Sequence, residues 1–385
     1  MYIKLDSLKK LNRGLILSSL KNNNFTRVEL QKRTGLAAGT LSNIMKELVL
    51  ENIILEIEEN GNGIRGRKGT KLFINYNYKY VIGIKIKRGI LIGSLNSLDG
   101  TTINQMTLEI PDKSPSTVVD LIIKTFKELK QEKSIIGIGI AFPGQVDSNE
   151  GIITYSAFYQ WKKVKLKELL QKSIECEIFI ENDVRAMALS EKDFISPDIK
   201  NMLYINIDRG VSCGIIINNS LLLGDNFVSG QLGHSFVENN GKICNCGKIG
   251  CLETITTNPR MLEDYLKEIN YNFDTNEVPS FDFFINKVIE NDPVALKIFN
   301  HAIYSLAIII GNLSNTLNIS TIVVGGDITK CNNLFFQTFF KFMSLICIPY
   351  VTENLNIKKS VFEHNDNTIG AVYIVLNQFF KGNIL

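Results

Sequence analysis

A chain of 385 residues is long enough for two or three compact domains, each with its own core. Its 45% hydrophobic and 21% charged content is that of an ordinary soluble globular protein. No apolar run approaches the roughly 20 residues that span a bilayer, and the first residues lack the apolar centre of a secretion signal. We therefore expect a cytoplasmic protein with no membrane partner.

The net charge of +3 is distributed unevenly along the chain. Residues 1–75 carry 13 Lys and Arg against 7 Asp and Glu, a balance of +6, whereas the remainder carries 29 against 32, a balance of −3. Basic charge at the N-terminal end favours an acidic partner there, such as nucleic acid. A charged surface that only contacts solvent is the alternative.

The N-terminal segment begins with two predicted helices. The first is indicated by apolar residues at helical spacing, which are Leu8, Leu11, Leu15, Ile16 and Leu20. A second, shorter helix is predicted to start at Thr26, a good N-cap, with Glu29 completing a capping box. It is expected to break at Gly35.

A third helix is predicted in the stretch AAGTLSNIMKELVLENIILE. Its apolar side chains share one face at i, i+3, i+4 and i+7, and they are Leu41, Ile44, Met45 and Leu48. The opposite face carries polar side chains that could meet base edges and phosphates, namely Thr40, Ser42, Asn43 and Lys46. Two short helices joined by a glycine turn in this way are typical of a helix-turn-helix that enters a major groove.

A basic hairpin is predicted directly after these helices. Residues 53–58 are expected to form a strand, and the glycine-rich loop that follows carries Arg65, Arg67 and Lys68 before a returning strand. A basic hairpin tip beside a recognition helix is a wing suited to phosphates or the minor groove. We predict a winged helix-turn-helix DNA-binding domain over residues 1–75. A helical hairpin without a DNA role would explain the helices but not the basic hairpin.

From Tyr80 onward, short apolar strands alternate with helices, as in YVIGIKIKRGILIGSLNS, SIIGIGIAFPGQVD and TIVVGGDI. This alternation predicts α/β architecture. The arrangement occurs twice, so we predict that residues 76–385 form a domain of two lobes with a cleft between them.

The stretch GHSFVENNGKICNCGKIGCLE concentrates one histidine and three of the seven cysteines. In a reducing cytosol such a cluster indicates a metal site before a disulfide. The four ligands are of the kinds that zinc prefers, and they are His234, Cys244, Cys246 and Cys251. Gly247 and Gly250 would let the backbone fold tightly around the metal. Four protein ligands fill a tetrahedral site, which predicts a structural zinc, the alternative being reduced cysteines packed by chance.

The motif GQLGH followed by CNCGKIGCLE resembles the signature of the ROK family, whose members are bacterial sugar-responsive repressors and sugar kinases. The resemblance covers nearly the whole chain. It implies a winged helix-turn-helix before a two-lobed α/β ribonuclease-H-like domain of the actin/hexokinase type. It also implies that the zinc loop orders a sugar site, with sugar contacts from His234, Glu253 and, in ENDVRAMA, Asn182 and Asp183. Gln231 stands where the family carries a glutamate, and it is expected to contact sugar as well, by hydrogen bonds weaker than those of an ionised carboxylate.

The same resemblance bears on enzyme activity, because in a ROK kinase Asp183 would be the general base. ROK kinases carry an Asp-x-Gly-Gly-Thr turn where this chain has residues 85–89, KIKRG. In their second phosphate loop they carry Gly and Thr where this chain has Asp208 and Arg209, and an acidic side chain there would repel a phosphate. We therefore expect that ATP binding is lost, that sugar binding is kept, and that the protein is not an enzyme.

The leading hypothesis is a repressor of carbohydrate-metabolism genes that binds operator DNA and responds to a monosaccharide or sugar derivative. A homodimer or higher homo-oligomer is expected. Residues 294–317 are a candidate contact, although the apolar pattern of this helix favours core packing over a dimer contact. The rival hypothesis is an ATP-dependent sugar kinase with an N-terminal regulatory domain. A repressor that answers to a protein partner, or to no ligand, is the third.

Overall fold

The structure, a computed structural model, describes residues 5–21, 23–58, 70–195, 199–272, 277–362 and 367–385. It divides into two compact units, the first comprising residues 1–183 and 368–385 and the second residues 184–367. The predicted boundary between residues 75 and 76 lies inside the first unit.

The described residues of the N-terminal part of the first unit form three helices and a small antiparallel sheet. The helices are α1 (Leu5–Leu20), α2 (Arg27–Thr34) and α3 (Ala38–Leu50). The sheet has the order β1-β3-β2, with β1 (Phe25–Thr26), β2 (Ile54–Glu58) and β3 (Thr70–Ile74). Thr26 caps α2 in a capping box with Glu29, and Gly35 ends it in the left-handed conformation with φ 68°. These three local predictions are confirmed.

The apolar stripe predicted for α1 is only partly buried. Its C-terminal half is in the core, with Ile16, Leu17 and Leu20 buried. The predicted helix is confirmed, but three of the five apolar residues that indicated it are exposed, and they are Leu8, Leu11 and Leu15. Helical spacing identifies an apolar face but not how far along the helix another element covers it.

The α/β part of the first unit is built on a five-stranded sheet of order β11-β7-β4-β5-β6. Its strands are β4 (Tyr80–Ile86), β5 (Ile90–Asn96), β6 (Thr102–Glu109), β7 (Ile135–Phe142) and β11 (Glu177–Asn182). A second sheet of order β10-β9-β8 contains β8 (Gln145–Asp147), β9 (Ile152–Ser156) and β10 (Trp161–Val164). The helices are α4 (Pro115–Lys130), α5 (Leu166–Gln171) and α13 (Ile369–Phe380). Trp161 is buried and stacks on Phe142, so this tryptophan is a core residue.

Helix α13 packs closely on the five-stranded sheet because glycines face it. A Cβ on Gly139 would lie 1.9 Å from the Ala371 carbonyl oxygen, and one on Gly83 would lie 2.6 Å from Val372 Cγ2. The other side of α13 shares one hydrophobic core with the N-terminal helices, so the predicted DNA-binding segment is packed onto the α/β part rather than tethered to it. Ser18 Oγ donates a hydrogen bond to the Phe380 carbonyl oxygen at 2.8 Å across this junction.

The second unit contains a five-stranded sheet of order β14-β13-β12-β15-β16. Its strands are β12 (Met202–Ile207), β13 (Val211–Ile217), β14 (Ser220–Leu221), β15 (Thr321–Gly325) and β16 (Asn356–Lys359). Its helices are α7 (Glu253–Thr256), α8 (Asn258–Glu268), α9 (Phe281–Ile289), α10 (Pro293–Leu317), α11 (Asn333–Ile346) and α12 (Pro349–Glu353), and α6 (Asp183–Ile195) starts at the last residue of the first unit. Short 3-10 turns occupy Leu232–His234 and Asp327–Cys331.

Helix α10 is the one described segment long and apolar enough to cross a membrane by length and composition, contrary to the expectation that no segment would qualify. Half of its most apolar stretch is buried within the protein. Phe299, Leu306 and Ile310 are fully buried there and belong to the core of the second unit. Core packing accounts for the apolar character of this helix.

Candidate functional site

The four predicted metal ligands lie together in the second unit. The ligand atoms of His234, Cys244, Cys246 and Cys251 are all within 4.8 Å of one another. Cys246 Sγ is 3.7 Å from Cys251 Sγ, and Cys244 Sγ is 3.6 Å from His234 Nδ1. A tetrahedron with Zn–S of about 2.3 Å and Zn–N of about 2.0 Å has S–S edges of about 3.8 Å and S–N edges of about 3.5 Å. The donor set and its spacing therefore fit a zinc ion.

The backbone of residues 234–251 explains how one short loop converges on a point. Gly250 has φ 75°, and a Cβ there would lie 1.8 Å from the Glu238 carbonyl oxygen, so only glycine fits. The Cys244 N–H donates to the Lys248 carbonyl oxygen at 2.8 Å, and the Gly247 N–H returns to the Cys244 carbonyl oxygen at 2.9 Å. This tight turn carries Cys244 and Cys246 toward the same side as Cys251.

The thiols differ in how readily they ionise. A hydrogen bond from the Lys248 backbone N–H lowers the pKa of Cys246, whereas burial raises the pKa of Cys244 and of Cys251. Thiolates are the form that binds metal, and a bound cation stabilises them against this burial. The two buried cysteines would therefore depend on a bound metal for their charge.

Two other residues predicted to contact sugar lie beside these ligands. Glu253 Oε1 is 2.9 Å from Cys244 Sγ and 3.6 Å from His234 Nδ1. Gln231 is exposed and precedes the 3-10 turn that contains His234. The backbone N–H of His234 donates to the Gln231 carbonyl oxygen at 3.1 Å. The second unit thus brings Gln231, His234 and Glu253 into one neighbourhood.

The remaining two predicted sugar contacts belong to the first unit, where β11 ends and α6 begins. The Asn182 side-chain amide donates to the Gly144 carbonyl oxygen at 2.9 Å and to Asp183 Oδ1 at 3.0 Å. The Asn182 N–H donates to Glu181 Oε1 at 2.7 Å, and Glu181 is buried. Asn182 and Asp183 are half-buried and held in fixed orientation, which suits recognition of vicinal hydroxyl groups.

The predicted recognition face of α3 is on the surface. Ser42, Asn43 and Lys46 are exposed and Thr40 is half-buried. The apolar residues of the opposite face are all buried, and they are Leu41, Ile44, Met45 and Leu48. The predicted wing residues lie outside the described residues, and they are Arg65, Arg67 and Lys68.

The structure adds two features that sequence reasoning missed. His301 Nε2 is 2.8 Å from Glu238 Oε1, a contact between α10 and the loop of residues 234–251 that is an ion pair when the histidine is protonated. Asn258 donates to both Asp208 and Asp327 in a polar cluster of the second unit. No local spacing could have indicated either feature, because the partners are far apart in the chain.

Comparison with known proteins agrees with this architecture. The chain matches the ROK family model over residues 81–378. It is 29% identical over 379 residues to the xylose repressor of Bacillus spizizenii, covering 97% of this chain and 96% of that protein. A crystal structure of a ROK family transcriptional regulator, a homologue of the Escherichia coli MLC protein, superposes with a TM-score of 0.89 at 25% identity over 97% of both chains.

A kinase shares the fold as well. The ROK family glucokinase of Streptomyces griseus, solved with glucose and AMPPNP, matches with a TM-score of 0.65 at 20% identity, covering 76% of this chain and 98% of the glucokinase. This likeness concerns the fold. The family match alone covers well over half of the chain, and the chain therefore belongs to the ROK family.

Proposed function

We propose that this protein is a sugar-responsive DNA-binding repressor of carbohydrate-metabolism genes. The observation that carries the proposal is the similarity to a xylose repressor along 97% of the chain, whereas the glucokinase match covers 76% of the chain. Residues 1–75 are proposed as a winged helix-turn-helix that binds operator DNA, and residues 76–385 as the sugar-binding domain. The exposed polar face of α3 and the basic balance of residues 1–75 support the DNA role.

The metal is proposed to be a structural zinc held by His234 Nδ1 and the three cysteine sulfurs. Coordination through Nδ1 would leave the Nε2 N–H of His234 available as a hydrogen-bond donor. His234, Glu253 and Gln231 are proposed as sugar contacts, and so are Asn182 and Asp183. Zinc at this place supplies rigidity to the loop, not an activated water.

Response to the sugar requires that bound and free protein differ in operator affinity. We propose that the protein acts as a homodimer or higher homo-oligomer, since two recognition helices read half-sites only when they lie about one helical turn of DNA apart. The shared core of α13 and the N-terminal helices supports such coupling, because a shift of the α/β part carries the DNA-binding helices with it.

Asp183→Asn is expected to weaken sugar binding by about 10-fold to 100-fold, because a charge-assisted hydrogen bond to a hydroxyl contributes about 1.5–3 kcal/mol. Operator affinity without sugar should be unchanged, but the sugar concentration that changes it should rise by the same factor. The measurement is thermal unfolding of the purified zinc-loaded protein against a panel of monosaccharides, followed by operator binding over a range of concentrations of the active sugar.

The matched control is Asp193→Asn, the same change on the same helix, α6, which should leave sugar binding intact. If the active sugar stabilises the Asp183→Asn protein as strongly as the wild type, Asp183 is not a sugar contact. If no sugar shifts the wild-type transition, the protein responds to a protein partner or to no ligand, and the sugar-sensing part of the proposal fails.

Lys46→Ala is expected to weaken binding to operator and to unrelated DNA alike, and to reduce the slope of log K against log salt by about 0.9, because one phosphate contact is lost.

Asn43→Ala should instead weaken binding to the operator but not to unrelated DNA. The loss of one base contact should cost about 1–3 kcal/mol of binding free energy. Fluorescence anisotropy at several salt concentrations separates the two. Lys10→Ala, on the exposed surface of α1, is the control. Unchanged binding in both α3 variants would show that this face does not contact DNA.

An ATP-dependent sugar kinase with an N-terminal regulatory domain is the second candidate. Asp183 at the position of the kinase base and the shared fold of the glucokinase favour it. Lys85, Arg88, Asp208 and Arg209 in the two phosphate-binding turns oppose it. ATP consumption with the sugar panel discriminates the two candidates. We expect none, and sustained turnover that Asp183→Asn abolishes would establish the kinase.

A further inference from the structure

β6 is the longest of the edge strands that the structure describes. It is the last strand of the order β11-β7-β4-β5-β6 in the first unit, and among the described strands it pairs with β5 alone. All eight of its residues are exposed or half-buried. The open side of an edge strand presents unpaired backbone N–H and C=O groups, with which a further strand can pair. β6 is therefore a candidate interaction surface.

The composition of β6 lacks the features that usually protect an edge strand from pairing. Natural proteins use lysines and other charges, prolines, or very short strands for this purpose. The stretch TINQMTL, residues 102–108, contains no charged residue, no proline and no glycine. The other described edge strands have two or three residues, as in β1, β8 and β14, or they carry charges, which are Glu56 and Glu58 in β2, Lys162 and Lys163 in β10, Glu177 and Glu181 in β11, and Lys358 and Lys359 in β16. Within the described sheets, only β6 is an edge that is both long and uncharged along such a stretch.

The hydrogen-bond register identifies the residues of β6 whose backbone groups point to the open edge. From residue 104 to residue 109 the strand is in regular antiparallel register with β5, after an irregularity at its start. The Ile110 N–H donates to the Gly89 carbonyl oxygen at 2.8 Å, and in an antiparallel ladder such bonded pairs alternate with pairs that are not bonded. Counted back from Ile110, the even-numbered residues bond to β5. The backbone groups of Gln105 and Thr107 therefore point to the open edge.

The hydrogen bond of Gln105 agrees with this direction. Its backbone N–H donates to Oδ1 of the preceding residue, Asn104, at 2.8 Å. Asparagine side chains bond nearby backbone groups in this way in competition with strand pairing. Asn104, Gln105 and Thr107 are all exposed. The open edge thus presents a donor that is held by one exposed side chain, and a second strand can displace that side chain.

We propose that β6 pairs antiparallel with β6 of a second copy of this chain, about a two-fold axis at Met106. In this register Gln105 of each copy lies opposite Thr107 of the other, and the two residues exchange both backbone hydrogen bonds. An interface of this kind is self-complementary, because the same surface serves both copies. The five-stranded sheets of the two copies then form one continuous sheet.

The charges of β6 favour a second copy over a charged peptide as the partner. Glu109 is the charged residue of the strand, and it is the last one. Antiparallel pairing at Met106 places the two copies of Glu109 at opposite ends of the interface, about 20 Å apart at about 3.4 Å per residue. These like charges therefore do not oppose the pairing. The side chains between them are neutral, so they do not select an acidic or a basic peptide.

The first test is sedimentation velocity of the full-length zinc-loaded protein at about 1 µM to about 100 µM, without sugar or DNA. The wild type is expected to show a reversible association step. Gln105→Pro should weaken that step by about 10-fold to 100-fold, because each copy loses an outward N–H and keeps its bonds to β5. Gln105→Ala is the matched control, since it keeps the N–H and should associate like the wild type.

The second test does not depend on the proline. The two copies of Met106 would form a pair without hydrogen bonds, with Cα atoms about 4.5 Å apart, which is within disulfide range. Met106→Cys is therefore expected to give a disulfide-linked dimer under mild oxidation. Leu108→Cys, on the same side of the strand, is the matched control and should give none, because its two copies would be about 14 Å apart. The wild type, with its own seven cysteines, is the baseline.

A wild type that shows no association step, or a folded Gln105→Pro protein that associates as strongly as the wild type, would overturn the proposal. Equal disulfide yields from Met106→Cys and Leu108→Cys, including none from either, would overturn it too. Near-ultraviolet circular dichroism checks the fold of each variant. The inference rests on the homo-oligomer proposed above and names its surface. Because the tests use neither sugar nor DNA, their failure is distinguishable from a failure of sugar or operator binding.

Discussion

Cys251→Ser is expected to reduce zinc from one ion per chain to nearly none after dialysis. Cys251 is buried, and a serine cannot replace its thiolate as a zinc ligand, because the serine hydroxyl stays protonated and binds zinc poorly. Altering residues that only support zinc ligands already costs about 10-fold to 100-fold in affinity, so removal of a ligand should cost more. Without the metal, the loop of residues 234–251 loses its cross-link, and sugar binding through His234 should fall with it.

Metal analysis by mass spectrometry and thermal unfolding, with and without added zinc, measure these effects. Cys176→Ser is the matched control, because Cys176 is a half-buried cysteine of the first unit outside the cluster. This variant should keep one zinc ion per chain, and added zinc should change its unfolding temperature as it does that of the wild type. A Cys251→Ser protein that retains one tightly bound zinc would mean that Cys251 is not a ligand, and a wild-type protein without zinc would refute the structural metal itself.

Gly14→Val is expected to destabilise the junction between α1 and α13 by about 1–3 kcal/mol or more, the cost of overpacking a well-packed contact. A Cβ at position 14 would lie 2.4 Å from the Lys381 carbonyl oxygen, and a backbone atom cannot swing aside as a side chain can. Gly382 makes the reciprocal approach, since its own Cβ would lie 2.4 Å from the Lys10 carbonyl oxygen. The helices must separate, so the N-terminal segment proposed to bind DNA should loosen from the rest of the first unit.

Urea unfolding measures the change in the free energy of unfolding, and limited proteolysis measures how readily the chain is cleaved before residue 25. Operator affinity should fall, because the proposed recognition helix is no longer held rigidly. Gly39→Ala is a control that should change stability in the opposite direction, because a Cβ at this position in α3 would contact nothing within 4 Å. It should stabilise the protein by about 0.5–1 kcal/mol, as expected for a helical glycine replaced by alanine. An equal free energy of unfolding for the Gly14→Val and wild-type proteins would show that the packing of α1 on α13 does not stabilise the N-terminal segment.

The N-terminal elements could be predicted because their signals are local. The capping box of Thr26 and Glu29, the left-handed Gly35 and the buried face of α3 each depend on residues within one or two turns. The exposure of Leu8, Leu11 and Leu15 could not be predicted in the same way. Whether an apolar face is covered depends on which other element reaches it, and here α13, from the far end of the chain, reaches only the second half of α1.

The sequence by itself determined the candidate metal-binding cluster and its ligand types, because the three cysteines and the histidine lie close together in one glycine-containing loop. It also determined the α/β class, through the alternation of strands and helices. Only the tertiary structure decided that α13 joins the N-terminal helices in one core, and that Asp208, Asn258 and Asp327 converge. These contacts join segments that are far apart in the chain. Parallel strand pairing and close helix packing bring the segments together, and local residue spacing does not encode such pairing.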